Sequence, residues 1–271
     1  MGAALVLSGG MNQQDMQAAC ALLYHHWADG TQLEALPPGL LPADRGEAYH
    51  VQALLEGYSN APLYGWKIAA TSVAGQRHIG VDGPLVGRIL AERVIADGGA
   101  CPLDNNLMKV AELEFAFRMG RDLPPRAEPY SQDEVLAAVE SLHPAIEIPD
   151  SRFRHFESAG LAQLVADNAC AHRFVLGPAT ATDWRARDLS SHKGRMVRNG
   201  DVAEDGIGSN VLGDPRIALT WLANELSAHG ETLKAGQVVT TGTCVKPVPI
   251  AQGDRFEGDL GILGRVSVSI V

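Results

Sequence analysis

Two glutamates two residues apart are the first place to look for chemistry. They stand in Lys109-Val-Ala-Glu-Leu-Glu-Phe-Ala-Phe-Arg-Met119. In a strand, side chains alternate between faces. Ala111, Leu113, Phe115, Phe117 and Met119 then share one apolar face, and Glu112 and Glu114 share the other. Their Cα atoms would lie roughly 6.6 Å apart, two steps of strand rise. Carboxylates held side by side repel unless a proton or a cation stands between them. A hard divalent ion such as Mg²⁺ or Mn²⁺ suits oxygen ligands of this kind. The same pattern also describes a half-exposed strand with a solvated polar face, so the pair alone leaves both readings open. A third acid, Glu147, stands between Ile146 and Ile148 in His143-Pro-Ala-Ile-Glu-Ile-Pro-Asp150. It is either an inward ligand or the solvent side of an edge strand.

Four further residues have types and settings that could serve such a centre. Lys67, between Trp66 and Ile68, offers an ammonium that binds a substrate oxygen or shuttles a proton. A lysine lying along apolar surface with its head in water would read the same way. Asp82 sits in the loop Gly80-Val-Asp-Gly-Pro84, the kind of loop that carries active-site groups. Asp-Gly also makes turns. Asn168 could donate a hydrogen bond to substrate or serve as a buried structural amide. Thr241, before Gly242, could bind the substrate carboxylate through its hydroxyl and nearby N–H groups, or simply end a strand. The scattered histidines His78, His143 and His155 receive no catalytic role. No GxSxG elbow, P-loop or GxGxxG fingerprint is present.

The elements that must position these residues are legible from spacing. Met16, Cys20, Leu23 and Trp27 recur at helical intervals, with Asn12 as N-cap and Gly30 as the stop. Asp44 and Glu47 form a capping-box pattern ahead of Val51, Leu54 and Leu55. Strands are predicted at 64–69, 109–119, 145–149, 173–176, 237–241 and 264–271. Ser131 and Glu134 cap a helix predicted over 135–142. Asp214 caps another that has Pro215 at its first position and stops at Gly230. The pattern predicts an α+β chain with a helical N-terminal part, residues 1–63, and a β-rich catalytic part, residues 64–271.

The chain has 271 residues, 46% of them hydrophobic, enough to bury a core. A net charge of −10 argues against nucleic acid as a partner. It leaves room for an anionic substrate, because a metal reverses the local field. No apolar run reaches membrane-spanning length, and Met1–Gly10 lacks the basic region of a secretion signal. Cys20, Cys101, Cys170 and Cys244 form no CxxC pair, so reduced cysteines in a cytoplasmic protein are expected.

Taken in order along the chain, the segments resemble the 2-keto-4-pentenoate hydratase family of the fumarylacetoacetate hydrolase superfamily. The resemblance rests on Gly65-Trp-Lys-Ile68, on Gly80-Val-Asp-Gly-Pro84 with Gly87, on Glu112-Leu-Glu114 and on Pro144-Ala-Ile-Glu-Ile-Pro-Asp-Ser-Arg152. It continues through Val165-Ala-Asp-Asn168, Val211-Leu-Gly-Asp-Pro215, Trp221-Leu-Ala-Asn224 and Thr240-Thr-Gly242. It implies a mixed-sheet roll, a homo-oligomer, and Mg²⁺ or Mn²⁺ held by Glu112, Glu114 and Glu147. It makes Asp82 an acid/base group paired with Lys67. The activity it implies is addition of water to 2-hydroxypenta-2,4-dienoate, giving 4-hydroxy-2-oxopentanoate, in the breakdown of aromatic compounds. Three departures bear on the substrate rather than the metal. Ala69 follows Trp-Lys-Ile, Asp214 replaces a common histidine, and Gln76-Arg-His78 adds cationic character beside the Asp82 loop.

Three other functions fit parts of the same pattern. A 2-oxo-3-hexenedioate decarboxylase would use the same glutamates to stabilise the enolate left after CO₂ departs. A C–C hydrolase of acylpyruvates would need a His/Glu pair to activate water, and the sequence offers no convincing one. A non-catalytic small-acid-binding or partner subunit is the reading of another class, since related hydratases and decarboxylases form complexes with each other. The presence of all three glutamates and Lys67 argues for activity.

Overall fold

The computed structural model describes residues 10–271, so the expectation for the chain's start falls outside it except at Gly10. Asn12 has extended backbone and accepts a hydrogen bond from the Asp15 N–H at 2.9 Å, which starts helix α1 (Gln13–Asp29). Gly30, at φ 62°, ends it in the left-handed conformation. Asp44 caps α2 (Arg45–Ala53) in the same way. The Glu47 carboxylate does not complete the box. It binds the N–H groups of Ala43 and Met11 instead, and so ties down the preceding chain. The remaining helices are α3 (Val73–His78), α4 (Gln132–Ala137), α5 (Leu161–Ala166) and α6 (Pro215–Ala228).

Thirteen strands are present among the described residues. They are β1 (Gly65–Ala69), β2 (Leu85–Ile89), β3 (Val94–Ala96), β4 (Ala100–Cys101), β5 (Val110–Met119), β6 (Val139–Ile148) and β7 (Arg173–Leu176). They continue with β8 (Lys193–Arg198), β9 (Asp201–Ile207), β10 (Val238–Thr243), β11 (Val248–Pro249), β12 (Arg255–Asp259) and β13 (Arg265–Ile270). One sheet runs β2-β1-β10-β5-β6-β7-β3, with β11 added to β5. It is mixed: β1/β10 and β3/β7 are parallel and the other pairs antiparallel. The second sheet runs β4-β13-β12-β8-β9.

The long antiparallel pair β5/β6 is the centre of the molecule. Ala111, Leu113, Phe115, Phe117 and Met119 are all fully buried, as their alternation predicts. Each large apolar side chain so placed contributes about 1.5–3 kcal/mol. The second sheet packs on this face. A Cβ on Gly258 would come 2.5 Å from the Leu113 side chain, so the missing side chain is what lets the two layers meet. The glutamates therefore face the opposite way, away from the second sheet.

The predicted helix over 135–142 is shorter than expected. Its capping box forms, but β6 begins at Val139, and Leu142 pairs with Phe117 of β5. Strand pairing with a fully buried neighbour overrides the local helical signal. The helical residues before 64 share one continuous core with the sheets, in which Ala19, Leu23 and Val51 join Phe115 and Val266. Gln52 reinforces that join by donating to the carbonyls of Val86 and Val165, both at 2.8 Å. All four cysteines are free and buried. Among the described residues no helix is long and apolar enough to cross a membrane.

Candidate active site

The sheet order β1-β10-β5-β6 places Lys67, Thr240, Glu112 with Glu114, and Glu147 on adjoining strands. Register then aligns them. Glu112 is the direct partner of Glu147, and Lys67 is the direct partner of Thr240. Alternation sends all these side chains to the face opposite Leu113. One oxygen from each of the three glutamates lies within 4.8 Å of the other two. The Lys67 ammonium sits 3.0 Å from the Glu147 carboxylate and donates to the Ala169 carbonyl at 2.9 Å. With three N–H donors, it keeps one for the cavity that it lines.

The electrostatics are those of a cation site. Burial raises Glu112 to about 7, the Glu147 charge adds to the rise, and Lys67 opposes it. Burial also raises Glu114 well above the carboxylate range, with Glu147 and Glu112 adding to it against the Thr240 hydrogen bond. Burial works to lower Lys67, but Glu147 and then Glu112 outweigh it, so the ammonium is held above its ordinary value. Were all three carboxylates ionised, the one ammonium would leave two negative charges uncompensated. Glu114 Oε1 and Glu147 Oε2 are buried with no hydrogen-bond partner. Orphaned oxygens of this kind need an explanation. A divalent ion supplies both the charge and the missing partner, so the donor set fits Mg²⁺ or another hard cation.

The other expected residues fall elsewhere. Asp82 does not pair with Lys67. Its side chain is 90% exposed and lies 3.8 Å from Arg45, because Asp82-Gly83 forms a turn that Arg45 holds through the Pro84 carbonyl. Asn168 is fully buried, and its amide is consumed by the β2 backbone. It accepts from the Arg88 N–H at 2.6 Å and donates to the Arg88 carbonyl at 2.8 Å. It serves the site indirectly. Asn168, Ala169 and Cys170 have φ of 57°, 50° and 59°, a left-handed turn that aims the Ala169 carbonyl at Lys67. Thr241 also points away, donating to the Phe115 carbonyl at 2.9 Å.

Two neighbours of Thr241 bind a carboxylate of the protein itself rather than of a substrate. Thr240 donates to Glu114 Oε2, and the Gly242 N–H donates to the same oxygen at 2.8 Å. A register irregularity between Thr240 and Thr243 allows both contacts. Gly242 has φ 98°, and a Cβ there would lie 2.1 Å from Thr71 Oγ1, so the position requires glycine. Gly87 makes comparable room for the Lys67 stem, 3.0 Å from where a Cβ would be. Thr240-Thr-Gly242 was a visible motif, but sequence alone does not say which threonine faces the glutamates.

Above the glutamates opens a cavity of about 840 Å³. Its walls are largely apolar, with Ile68, Leu85, Met108 and Val245 among them, and Arg154 and Lys246 also line it. This is the usual form of a small-ligand site, an apolar pocket with a few convergent polar groups. The acid end of a ligand would meet Lys67 and any cation that the glutamates hold, and its carbon tail would meet the apolar wall.

Comparison with known proteins agrees with this architecture. The model of the fumarylacetoacetate (FAA) hydrolase C-terminal family matches residues 91–271. The chain is 36% identical over 259 residues to 2-keto-4-pentenoate hydratase 1 of Dechloromonas aromatica, covering 93% of this chain and 95% of that one. It is 35% identical over 227 residues to 2-hydroxyhexa-2,4-dienoate hydratase of Comamonas testosteroni, covering 82% and 84%. Among solved structures, 4-oxalocrotonate decarboxylase from Pseudomonas putida G7, complexed with magnesium and adipate, superposes with a TM-score of 0.87. Its identity is 26%, over 96% of this chain and 98% of that one.

Proposed function

The chain belongs to the fumarylacetoacetate hydrolase family, in its 2-keto-4-pentenoate hydratase branch, and from that premise we propose that it is a divalent-metal-dependent hydratase of a small 2-hydroxydienoate. The observation that carries the proposal is the meeting of Glu112, Glu114 and Glu147, two of them with an orphaned oxygen, where Glu112 and Lys67 line a largely apolar cavity. Glu112, Glu114 and Glu147 would hold the ion, Mg²⁺ or Mn²⁺. When bound, the ion acts as a Lewis acid towards the carboxylate and 2-oxygen of the substrate.

The chain's own groups do the rest. In 2-hydroxypenta-2,4-dienoate the 2-hydroxyl loses its proton and C5 gains one, which gives the 3-enoate ketone. Water then adds its oxygen to C4 and a proton reaches C3, giving 4-hydroxy-2-oxopentanoate. Lys67 is the group able to hold or move these protons, since it lines the cavity and its two partners leave one of its three N–H donors unused. Thr240 and Gly242 fix the Glu114 carboxylate. The apolar wall excludes bulk water around the diene. A part for Asp82 requires its loop to fold over the cavity and release Arg45.

Decarboxylation of 2-oxo-3-hexenedioate is the second reading. It is favoured by the close superposition on the decarboxylase and by Lys246 and Arg154, which could meet a second carboxylate. The higher identity to hydratases favours hydration. Turnover with Mg²⁺ separates the two. Hydration removes the dienol absorbance without CO₂, whereas stoichiometric CO₂ from the dicarboxylate would replace this proposal. A homo-oligomer, alone or with a pathway enzyme, and a cytoplasmic location complete it. Sizing of the purified protein tests the first, and the four free cysteines suit the second.

A further inference from the structure

A second cavity, of about 430 Å³, lies where the end of α1 meets the start of β7. Trp27 is its organising residue. The Arg93 guanidinium stacks on the Trp27 ring at 4.2 Å from the centroid, and that of Arg152 at 4.9 Å. The indole N–H donates to His172 Nδ1 at 2.7 Å. That bond fixes the tautomer, leaving the proton of the neutral ring on Nε2. Burial and the charges of Arg173, Arg93 and Arg152 push His172 down to about 2, so the ring is neutral.

The donors left over point to a ligand. His172 is nine-tenths buried, and its Nε2–H has no partner. Arg173 Nε is buried and unpartnered as well, although the same guanidinium meets Asp104 at 3.3 Å. Among the described residues, Arg93 forms no ion pair and its side chain makes no hydrogen bond. Arg152 is already taken by Asp167 and by the carbonyls of Asp150 and Ala171. Nearby acceptors are in use, outside, or beyond hydrogen-bond reach: Glu147 borders a small void with Arg93, His172 and Arg173, but its unpartnered Oε2 bonds none of them. Asp150 accepts from the Leu107 and Met108 N–H groups, and Asp29 is exposed at the rim. Buried donors without acceptors are costly. An oxyanion offers several acceptor lone pairs to such a set at once.

We infer that this cleft binds a small oxyanion, a carboxylate or inorganic phosphate, through Arg93, Arg173 and His172. The cleft is a different cavity from the one that Lys67 and Glu112 line, although Glu147 borders a small void beside its donors, and the ligand is held by charge-assisted hydrogen bonds.

Isothermal titration of the full-length protein tests this, with sodium phosphate and sodium acetate in separate arms at constant ionic strength set by chloride. Saturable binding of at least one anion is expected. Arg93→Gln and Arg173→Gln should each weaken it at least about tenfold. Glu112→Gln, in the other cavity, should leave it unchanged. The stronger of the two arms identifies the anion. No saturation in either arm would overturn the inference, as would saturable binding that survives both arginine variants. If Arg93→Gln instead splits an oligomer and the parent protein binds neither anion, the cleft is a contact between copies and the inference fails. Thermal melts of both arginine variants check that each is folded, and either folded one suffices.

Discussion

Glu112 and Glu147 face one another as a direct register pair across β5 and β6. Like charges at that position destabilise a sheet. The two strands nevertheless form a long ladder, so the pair is relieved by Lys67, by protonation of Glu112, or by a cation held between the carboxylates.

Mg²⁺ should therefore stabilise the fold. At a concentration of about 100 times Kd the gain is about 2.7 kcal/mol. Melts with Mg²⁺ and with EDTA should differ for the parent protein. Glu112→Gln and Glu147→Gln should lose most of that difference. Equal metal-induced shifts in parent and variants would remove these residues from the ligand set.

The glutamates' contribution to stability without metal should fall as pH rises. Glu112 goes from the ordinary 4.5 to about 7 on folding, so between those values the folded state holds a proton that the unfolded state has released. Raising pH through this window costs up to about 1.4 kcal/mol per pH unit for one such group. Glu114 shifts in the same direction. Denaturant melts in EDTA at pH 5 and pH 8 of the parent and of Glu112→Gln check the sign: the parent should lose stability relative to the variant at the higher pH, and an equal change in both would contradict it. Metal binding should weaken below about pH 7, because the ligands must lose protons to bind.

Lys67→Met should lower kcat by about 10²–10⁴-fold with metal saturating. The same change removes the ammonium 3.0 Å from Glu147, so metal titration must accompany the kinetics. A folded, metal-loaded variant with kcat close to the parent's would leave Lys67 a purely structural cation.

Thr240→Val and Thr241→Val should separate. Thr240 orients a glutamate, so its loss should weaken Mg²⁺ binding by about 10–100-fold. Thr241 binds only the Phe115 carbonyl, so its loss should lower Tm and leave metal affinity intact. Titration of both variants with Mg²⁺ decides it, and the reverse order would remove Thr240 as the residue that orients Glu114.

Much of this architecture was legible because its signals are local. Asn12, Gly30, Asp44, Ser131 and Asp214 cap the helices they were expected to cap. The alternation of β5 foretold both its buried face and the common direction of Glu112 and Glu114. What was hidden depends on chain segments far apart in sequence. Asn168 is a residue whose amide could face substrate or backbone, and only the nearness of Arg88 decides it. Thr241 was chosen over Thr240 because the irregularity that turns them is a property of the β10/β5 ladder. The β8/β9 hairpin was missed for another reason. Its Asn199-Gly200 turn is a strong signal, but β9 is an exposed edge strand with little apolar alternation to mark it.

The glutamates, Lys67 and Thr240 stand on four strands of one sheet, whereas much of the wall that a substrate tail would touch comes from α3 and from the loops bearing Arg154 and Lys246. Reaction and selectivity are thus borne by parts of unequal rigidity. A substitution in a wall loop can lengthen, shorten or recharge the tail pocket without shifting any strand register, and so without disturbing the charge balance around the ion. Divergence to a new acid is cheap on such a scaffold. Divergence to a new kind of bond-making would require rebuilding the sheet.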